Sequence, residues 1–250
     1  MTRAGFRQAL LNGDVLMGTF LKTPSSIIAE VLGLSALDVV AVDAEHAPFG
    51  RVETDLCIAA FRAADMPCLV RVGDDSTTQL RNALDSGADG VVVPHVTSAA
   101  QAERVVKACH FGDGGRGYAG SPRAAGYGTR PMPDYLAGSA EHTSVVVQIE
   151  DISALEHAAA IAAVDGVDAV FVGRIDLAVA MGKSPMDEAV IDAVATICQA
   201  CADTGTTVGM FTPDLDELPR WRDAGASLFL LSSDHSMLLA GANQLADSIR

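Results

Sequence analysis

Short apolar runs rich in β-branched residues recur about every thirty residues along this chain, separated by stretches with helical periodicity. The pattern predicts strands over Val15–Phe20, Asp38–Asp43, Pro67–Val72, Gly90–Pro94, Ser144–Glu150, Ala169–Gly173, Thr207–Phe211 and Ser227–Ser232. The runs Val39–Val42, Val91–Pro94 and Ala169–Val172 are continuous rather than alternating, as in parallel strands buried on both faces. Ser25, Ser98 and Ser153 read as helix starters, and Gly87 and Gly205 as helix stops. Eight strand–helix units without a linker or a shift in composition predict a single (β/α)8 TIM barrel spanning residues 1–250. An open, doubly wound sheet is the alternative.

Composition narrows the partners. The 250 residues suit one barrel, 49% of them are hydrophobic, and aromatics make up only 5%. A formal charge of −15 offers no basic stripe, which argues against nucleic acid or an anionic membrane surface. No apolar run approaches the roughly 20 residues that span a bilayer, and Met1–Gly18 lacks the apolar stretch of a signal peptide. Five cysteines form no regular framework, and the odd count fits reduced thiols in a cytoplasmic protein. Cys198 and Cys201 spell C-x-x-C inside the predicted helix Asp187–Thr204, without a second pair to complete a zinc site. They read as structural.

Phe111–Pro133 is the longest irregular stretch, and loops of that length are usually functional or interfacial. Its Gly112–Gly117 segment fits G-x-G-x-x-G but follows a helix instead of a strand, so it fails as a dinucleotide fingerprint. A backbone-flexible lid or a subunit contact carrying Arg116 is the expectation.

In a β/α barrel the chemistry sits at the carboxyl ends of the strands. Those ends carry Asp43, Glu45 and His46 after the second strand and Arg71 after the third. Gln148, Glu150 and Asp151 follow the fifth, and Gly173, Arg174, Ile175 and Asp176 the sixth. Glu150 and Asp176 are hard oxygen donors suited to Mg²⁺, Mn²⁺ or Co²⁺. Such an ion polarises a keto group and stabilises an enolate. Arg71 would offer parallel donors to an enolate oxygen or a carboxylate. His46, oriented by Asp43, suits proton transfer to a hydroxyl. Asp85 occupies the last turn of a helix, where the dipole disfavours an acid, so it is expected to have a partner such as His46. Asp151 and Glu45 read equally as caps for the helices that follow, and His95 as pocket wall. Of the three lysines, only Lys22 is near the mouth, which disfavours an imine mechanism.

The chain resembles the HpcH/HpaI aldolases, the metal-dependent class II pyruvate aldolases, along almost its whole length. The motifs that carry the resemblance are Val42-Asp-Ala-Glu-His-Ala-Pro48, Leu84-Asp-Ser-Gly-Ala-Asp-Gly-Val-Val-Val-Pro94, Gly115-Arg-Gly117 and Val147-Gln-Ile-Glu150. Val170-Phe-Val-Gly-Arg-Ile-Asp-Leu177 with Met181-Gly182 completes the set. The resemblance implies reversible retro-aldol cleavage of a 4-hydroxy-2-oxo acid to pyruvate and an aldehyde. It assigns Glu150 and Asp176 to the metal and Gln148 with the amides of Ile175 and Asp176 to pyruvate. Arg71 would stabilise the enolate, and His46 would be the acid/base, its basicity raised by Asp85. It further implies a homo-hexamer, a trimer of dimers with the last helix exchanged between subunits. Two departures bear on the aldehyde. The family commonly reads Gly-Pro-Ala/Thr-Asp-Leu-Ser where this chain has Gly173-Arg-Ile-Asp-Leu-Ala178, and many relatives carry Met where this chain has His95. An oxaloacetate decarboxylase, an acyl-CoA lyase and a non-catalytic keto-acid-binding barrel are the other readings.

Overall fold

The computed structural model describes residues 1–249. Eight parallel strands close in sequence order: β1 (Leu16–Leu21), β2 (Val39–Asp43), β3 (Cys68–Arg71), β4 (Gly90–Val93), β5 (Ser144–Ile149), β6 (Ala169–Val172), β7 (Thr207–Phe211) and β8 (Ala226–Ser233), which pairs back with β1. The barrel expectation holds, and each strand lies within one or two residues of its predicted place.

Eleven α-helices accompany them among the described residues: α1 (Arg3–Leu11), α2 (Ser26–Gly33), α3 (Arg51–Ala63), α4 (Thr77–Ser86), α5 (Ala99–Cys109), α6 (Met132–His142), α7 (Ala158–Ala162), α8 (Arg174–Ala180), α9 (Glu188–Thr204), α10 (Leu218–Asp223) and α11 (Asp234–Asp247). Gly87 and Gly205 end α4 and α9 in the left-handed conformation, at φ +94° and +74°, where glycine carries no Cβ penalty. Ser98 caps α5 by accepting the Gln101 amide at 3.3 Å. Ser153 does not start a helix. Asp151 precedes the 3₁₀ turn Ile152–His157, and Ser153 lies inside it.

The alternation of strand side chains divides the core in two. Val40, Val42, Val70, Val91, Val93, Val145 and Val147 face outward into the helix layer. Val39, Ala41, Leu69, Val92, Val146, Ala169 and Phe171 fill the barrel interior. Phe6 and Leu10 of α1 join that inner cluster. The parity has a direct consequence for chemistry. Asp43 continues the inward series of Val39 and Ala41, Arg71 that of Leu69, Gln148 and Glu150 that of Val146, and Gly173 that of Ala169 and Phe171. Polar residues at the carboxyl ends are therefore aimed at the axis by the same period that builds the core.

The irregular stretch is more ordered than the sequence suggests. It contains a 3₁₀ turn, Arg123–Gly128, before α6 begins at Met132. Arg116 is buried: it donates to Asp85 Oδ1 at 2.5 Å and to the Tyr135 hydroxyl at 3.0 Å and stacks on Phe111. It anchors the loop, correcting the expectation of a flexible lid.

Candidate active site

The β2–β3 register places Asp43 opposite Arg71. Arg71 donates from Nε to Asp43 Oδ1 at 3.0 Å and from Nη2 to Oδ2 at 2.8 Å, a bidentate pair. Its guanidinium lies 4.4 Å from the Phe20 ring centroid. Lys22 Nζ adds a contact at 2.9 Å to Asp43 Oδ2, and the His46 amide donates to Oδ1 at 3.1 Å. Burial alone would raise the Asp43 pKa, but Arg71, Lys22 and the His46 amide outweigh it and bring it down to about 2. Asp43 thus fixes Arg71, Lys22 and the backbone of His46. It does not orient the His46 ring, as the sequence suggested, because its oxygens are taken by those donors. The His46 imidazole is half exposed, with Nε2 3.5 Å from Glu45 Oε2.

Asp85 lies in the last turn of α4, as the sequence places it. Within one chain its carboxylate is held by Arg116, and no contact with His46 occurs among the described residues. The unfavourable helix-terminal acid did have a partner, but that partner is an arginine 31 residues downstream.

Beyond β5, Gln148 and Glu150 are buried side by side, with Gln148 Nε2 donating to Glu150 Oε2. The His95 amide donates to Glu150 Oε1 at 2.9 Å. That bond helps hold His95 in the left-handed region at φ +54°, unusual for a residue with a side chain. The His95 ring places Nδ1 3.1 Å from Asp151 Oδ2 and 3.3 Å from Glu150 Oε1, with Nε2 3.8 Å from Glu45 Oε1. Burial lowers the His95 pKa, yet Asp151, Glu150 and Glu45 together carry it above the ordinary histidine value. Burial, reinforced by the Asp176 charge, raises that of Glu150 despite the Gln148 and His95 hydrogen bonds.

Gly173 has a steric role. A Cβ there would stand 2.8 Å from Glu150 Oε2, so only glycine lets α8 begin this close to the carboxylate. The amides of Ile175 and Asp176, in the first turn of α8, have no acceptor inside the helix. These two residues, with His46, Arg71, Gln148 and Gly173, line a cavity of about 250 Å³. Phe20, Phe171 and Phe211 also line it. Lys22 and Arg174 line it as well, so eight of the residues singled out from the sequence meet in one cavity, with Asp43 and Glu150 bonded directly to its lining.

The donor set fits a divalent cation. Glu45, His95 and Glu150 each present a ligand atom within 4.8 Å of the others. Glu45 Oε2 and Gln148 Oε1 are buried without a hydrogen-bond partner, and burial, with the Asp176 charge adding to it, disfavours the Glu150 carboxylate when no cation is beside it. Glu150 is common to this trio and to the Glu150–Asp176 pair read from the sequence. The sequence leaves Glu45 and Asp151 open between site residues and helix caps and reads His95 as pocket wall. Their positions just past strand ends were the signal that identifies them. Asp151 makes no side-chain cap hydrogen bond and instead faces His95.

Comparison with known proteins agrees with this geometry. A family model described as HpcH/HpaI aldolase/citrate lyase matches residues 16–240. The chain is 32% identical to a hydroxypyruvate/pyruvate aldolase of Paraburkholderia phytofirmans, over 98% of this chain and 96% of the relative. It is 35% identical to a 4-hydroxy-2-oxovalerate aldolase of Rhodococcus jostii, over 96% and 94% of the two. The crystal structure of an HpcH/HpaI aldolase/citrate lyase family protein from Burkholderia cenocepacia superposes with a TM-score of 0.93, at 31% identity and 99% coverage of both chains.

Proposed function

This chain belongs to the HpcH/HpaI aldolase/citrate lyase family, and from that premise we propose that it is a metal-dependent pyruvate aldolase. It cleaves a 4-hydroxy-2-oxo acid reversibly into pyruvate and an aldehyde. In the cleavage direction the C4 hydroxyl loses its proton, the C3–C4 bond breaks, and C3 later takes up a proton, so no redox partner is needed. His46, exposed at the rim beside Glu45, is the group that exchanges the hydroxyl proton. Arg71 spends Nε and Nη2 on Asp43, which leaves Nη1 without an acceptor among the described residues and available to the enolate oxygen. Gln148 and the first-turn amides of α8 hold the keto acid through its oxygens. Glu150 and Asp176, with Glu45 and His95 beside them, would hold a divalent cation, Mg²⁺, Mn²⁺ or Co²⁺, that draws electron density from the keto group.

Lys22 supports this reading over an imine mechanism, because its amine is ion-paired with Asp43 rather than presented free to the cavity. One observation carries the proposal: His46, Arg71, Gln148 and Asp176 line a single cavity whose Gln148 is bonded to the buried Glu150. A screen for pyruvate release across hydroxy-oxo acids tests it. Activity is expected with added metal and is expected to disappear in EDTA. Full activity in EDTA would remove the metal from the account. The hexamer with an exchanged last helix remains part of the proposal, supported by the exposure of Leu238, Leu239 and Leu245 on α11. No helix of the described residues is long and apolar enough to cross a membrane.

A further inference from the structure

Resting on that reading, we infer that the aldehyde partner is short and uncharged, so that the substrate is a hydroxy-oxo acid with a single carboxylate. The argument concerns where the cations at the mouth are committed. Lys22 contacts Asp43 at 2.9 Å, and Arg71 binds Asp43 through two nitrogens while its Nε lies 3.3 Å from Glu45. The third cation near the mouth, Arg174, lines the cavity, but its guanidinium is bound elsewhere. It donates from Nη2 to Glu217 Oε2 at 2.5 Å and from Nη1 to the Pro185 carbonyl at 3.0 Å, and it stacks 5.1 Å from the Trp221 ring centroid. Trp221 Nε1 donates to the same Glu217 oxygen at 3.1 Å, and Arg174 is only 3% exposed. A buried guanidinium with both terminal nitrogens bonded and its face stacked on Trp221 is not available to a substrate.

What Arg174 leaves at the cavity is the side chain that follows it, Ile175, with Val172 and the rings of Phe20, Phe171 and Phe211. Lys22 and Arg174 also line the cavity, but with their charged ends bound to Asp43 and Glu217 this wall has no free side-chain donor to replace the water around a second carboxylate. The acids Glu45, Glu150, Asp151 and Asp176 add a repulsive field, and Asp43 is already matched to its two cations. A divalent cation offsets two of those charges, and pyruvate's own carboxylate restores one. A distal carboxylate on the aldehyde would therefore meet an apolar wall inside an acidic rim. The cavity of about 250 Å³ also lies below the roughly 300–1,000 Å³ of sites for drug-sized ligands, which favours a short acceptor.

The test is aldol addition of pyruvate to matched acceptors: glycolaldehyde and propanal, which are uncharged, against glyoxylate and succinic semialdehyde, which are anionic. The uncharged pair is expected to show kcat/KM about tenfold or more above the anionic pair, with the gap narrowing as salt is raised. Ile175→Lys places a free cation on the wall and is expected to shift the ratio about tenfold toward succinic semialdehyde. Equal or better use of the anionic acceptors by the wild-type protein would overturn the inference while leaving the aldolase reading intact. If no aldehyde of either class reacts, the aldolase reading falls and takes this inference with it.

Discussion

At the amino end of the barrel, Arg3 grips Asp89 through Nε at 3.0 Å and Nη2 at 2.7 Å, and Arg7 holds Asp168 at 2.8 Å. Both carboxylates also accept strand-end amides, Asp89 from Cys68 at 2.9 Å and Asp168 from Val145 at 2.8 Å. At the carboxyl end, Arg71 grips Asp43 in a similar bidentate way, but further acids surround that pair. Glu45 Oε2 and Gln148 Oε1 stay without hydrogen-bond partners, and Glu150 is left with a raised pKa. The amino-end pairs fasten α1 across the barrel bottom and give each carboxylate a guanidinium and a strand-end amide, although burial still raises the Asp89 pKa. The carboxyl end buries acids that the chain alone does not neutralise. A buried pair that is complete reads as structure, and a buried surplus reads as a site awaiting a ligand.

This contrast sets the order of expected effects. The largest is on turnover at the carboxyl end. Glu150→Gln is expected to cut pyruvate release by on the order of 10³-fold, since polarisation of the keto group accounts for several kcal/mol of the barrier. Its thermal midpoint should stay level or rise, because burial already penalises the carboxylate. A variant that melts early but keeps its turnover would reverse the assignment.

At the opposite end the signature should be inverted. Asp89→Asn removes the charged partner of Arg3 and leaves one oxygen to serve both Arg3 and the Cys68 amide, at a cost of about 3 kcal/mol in denaturant unfolding. Turnover per folded molecule is expected to be unchanged. Loss of activity without loss of stability would show that the amino end participates in function.

The smallest effect is a pH dependence. Asp43 has its pKa lowered from 3.8 to about 2, so the unfolded state binds its proton more readily. The stability it contributes is fully present above pH 4 and is lost as pH falls through 2, roughly 2 kcal/mol in all. Unfolding followed between pH 6 and pH 2 should show an acid limb that Asp43→Asn flattens.

Much of this contrast was legible in the sequence. The strand at Thr207–Phe211 was placed to the residue, and most of the residues lining the cavity followed from reading the carboxyl ends of the strands. What escaped depended on contacts distant along the chain. Arg116 and Asp85 form their ion pair across 31 residues, and no local pattern distinguishes a buried loop arginine from a mobile one. His95 was discounted because its ligand-like placement depends on a left-handed backbone held by the Glu150 carboxylate. Asp43 was assigned to the His46 ring because adjacency in sequence was read as contact. The β2–β3 register, a tertiary fact, gives it to Arg71 instead.

The most direct test of the central claim is a Mn²⁺ titration of metal-free protein followed by electron paramagnetic resonance, with Glu150→Gln and Asp176→Asn in parallel. The account predicts one ion bound per chain in the wild type, lost in Glu150→Gln and weakened in Asp176→Asn. Undiminished binding in both variants would contradict it.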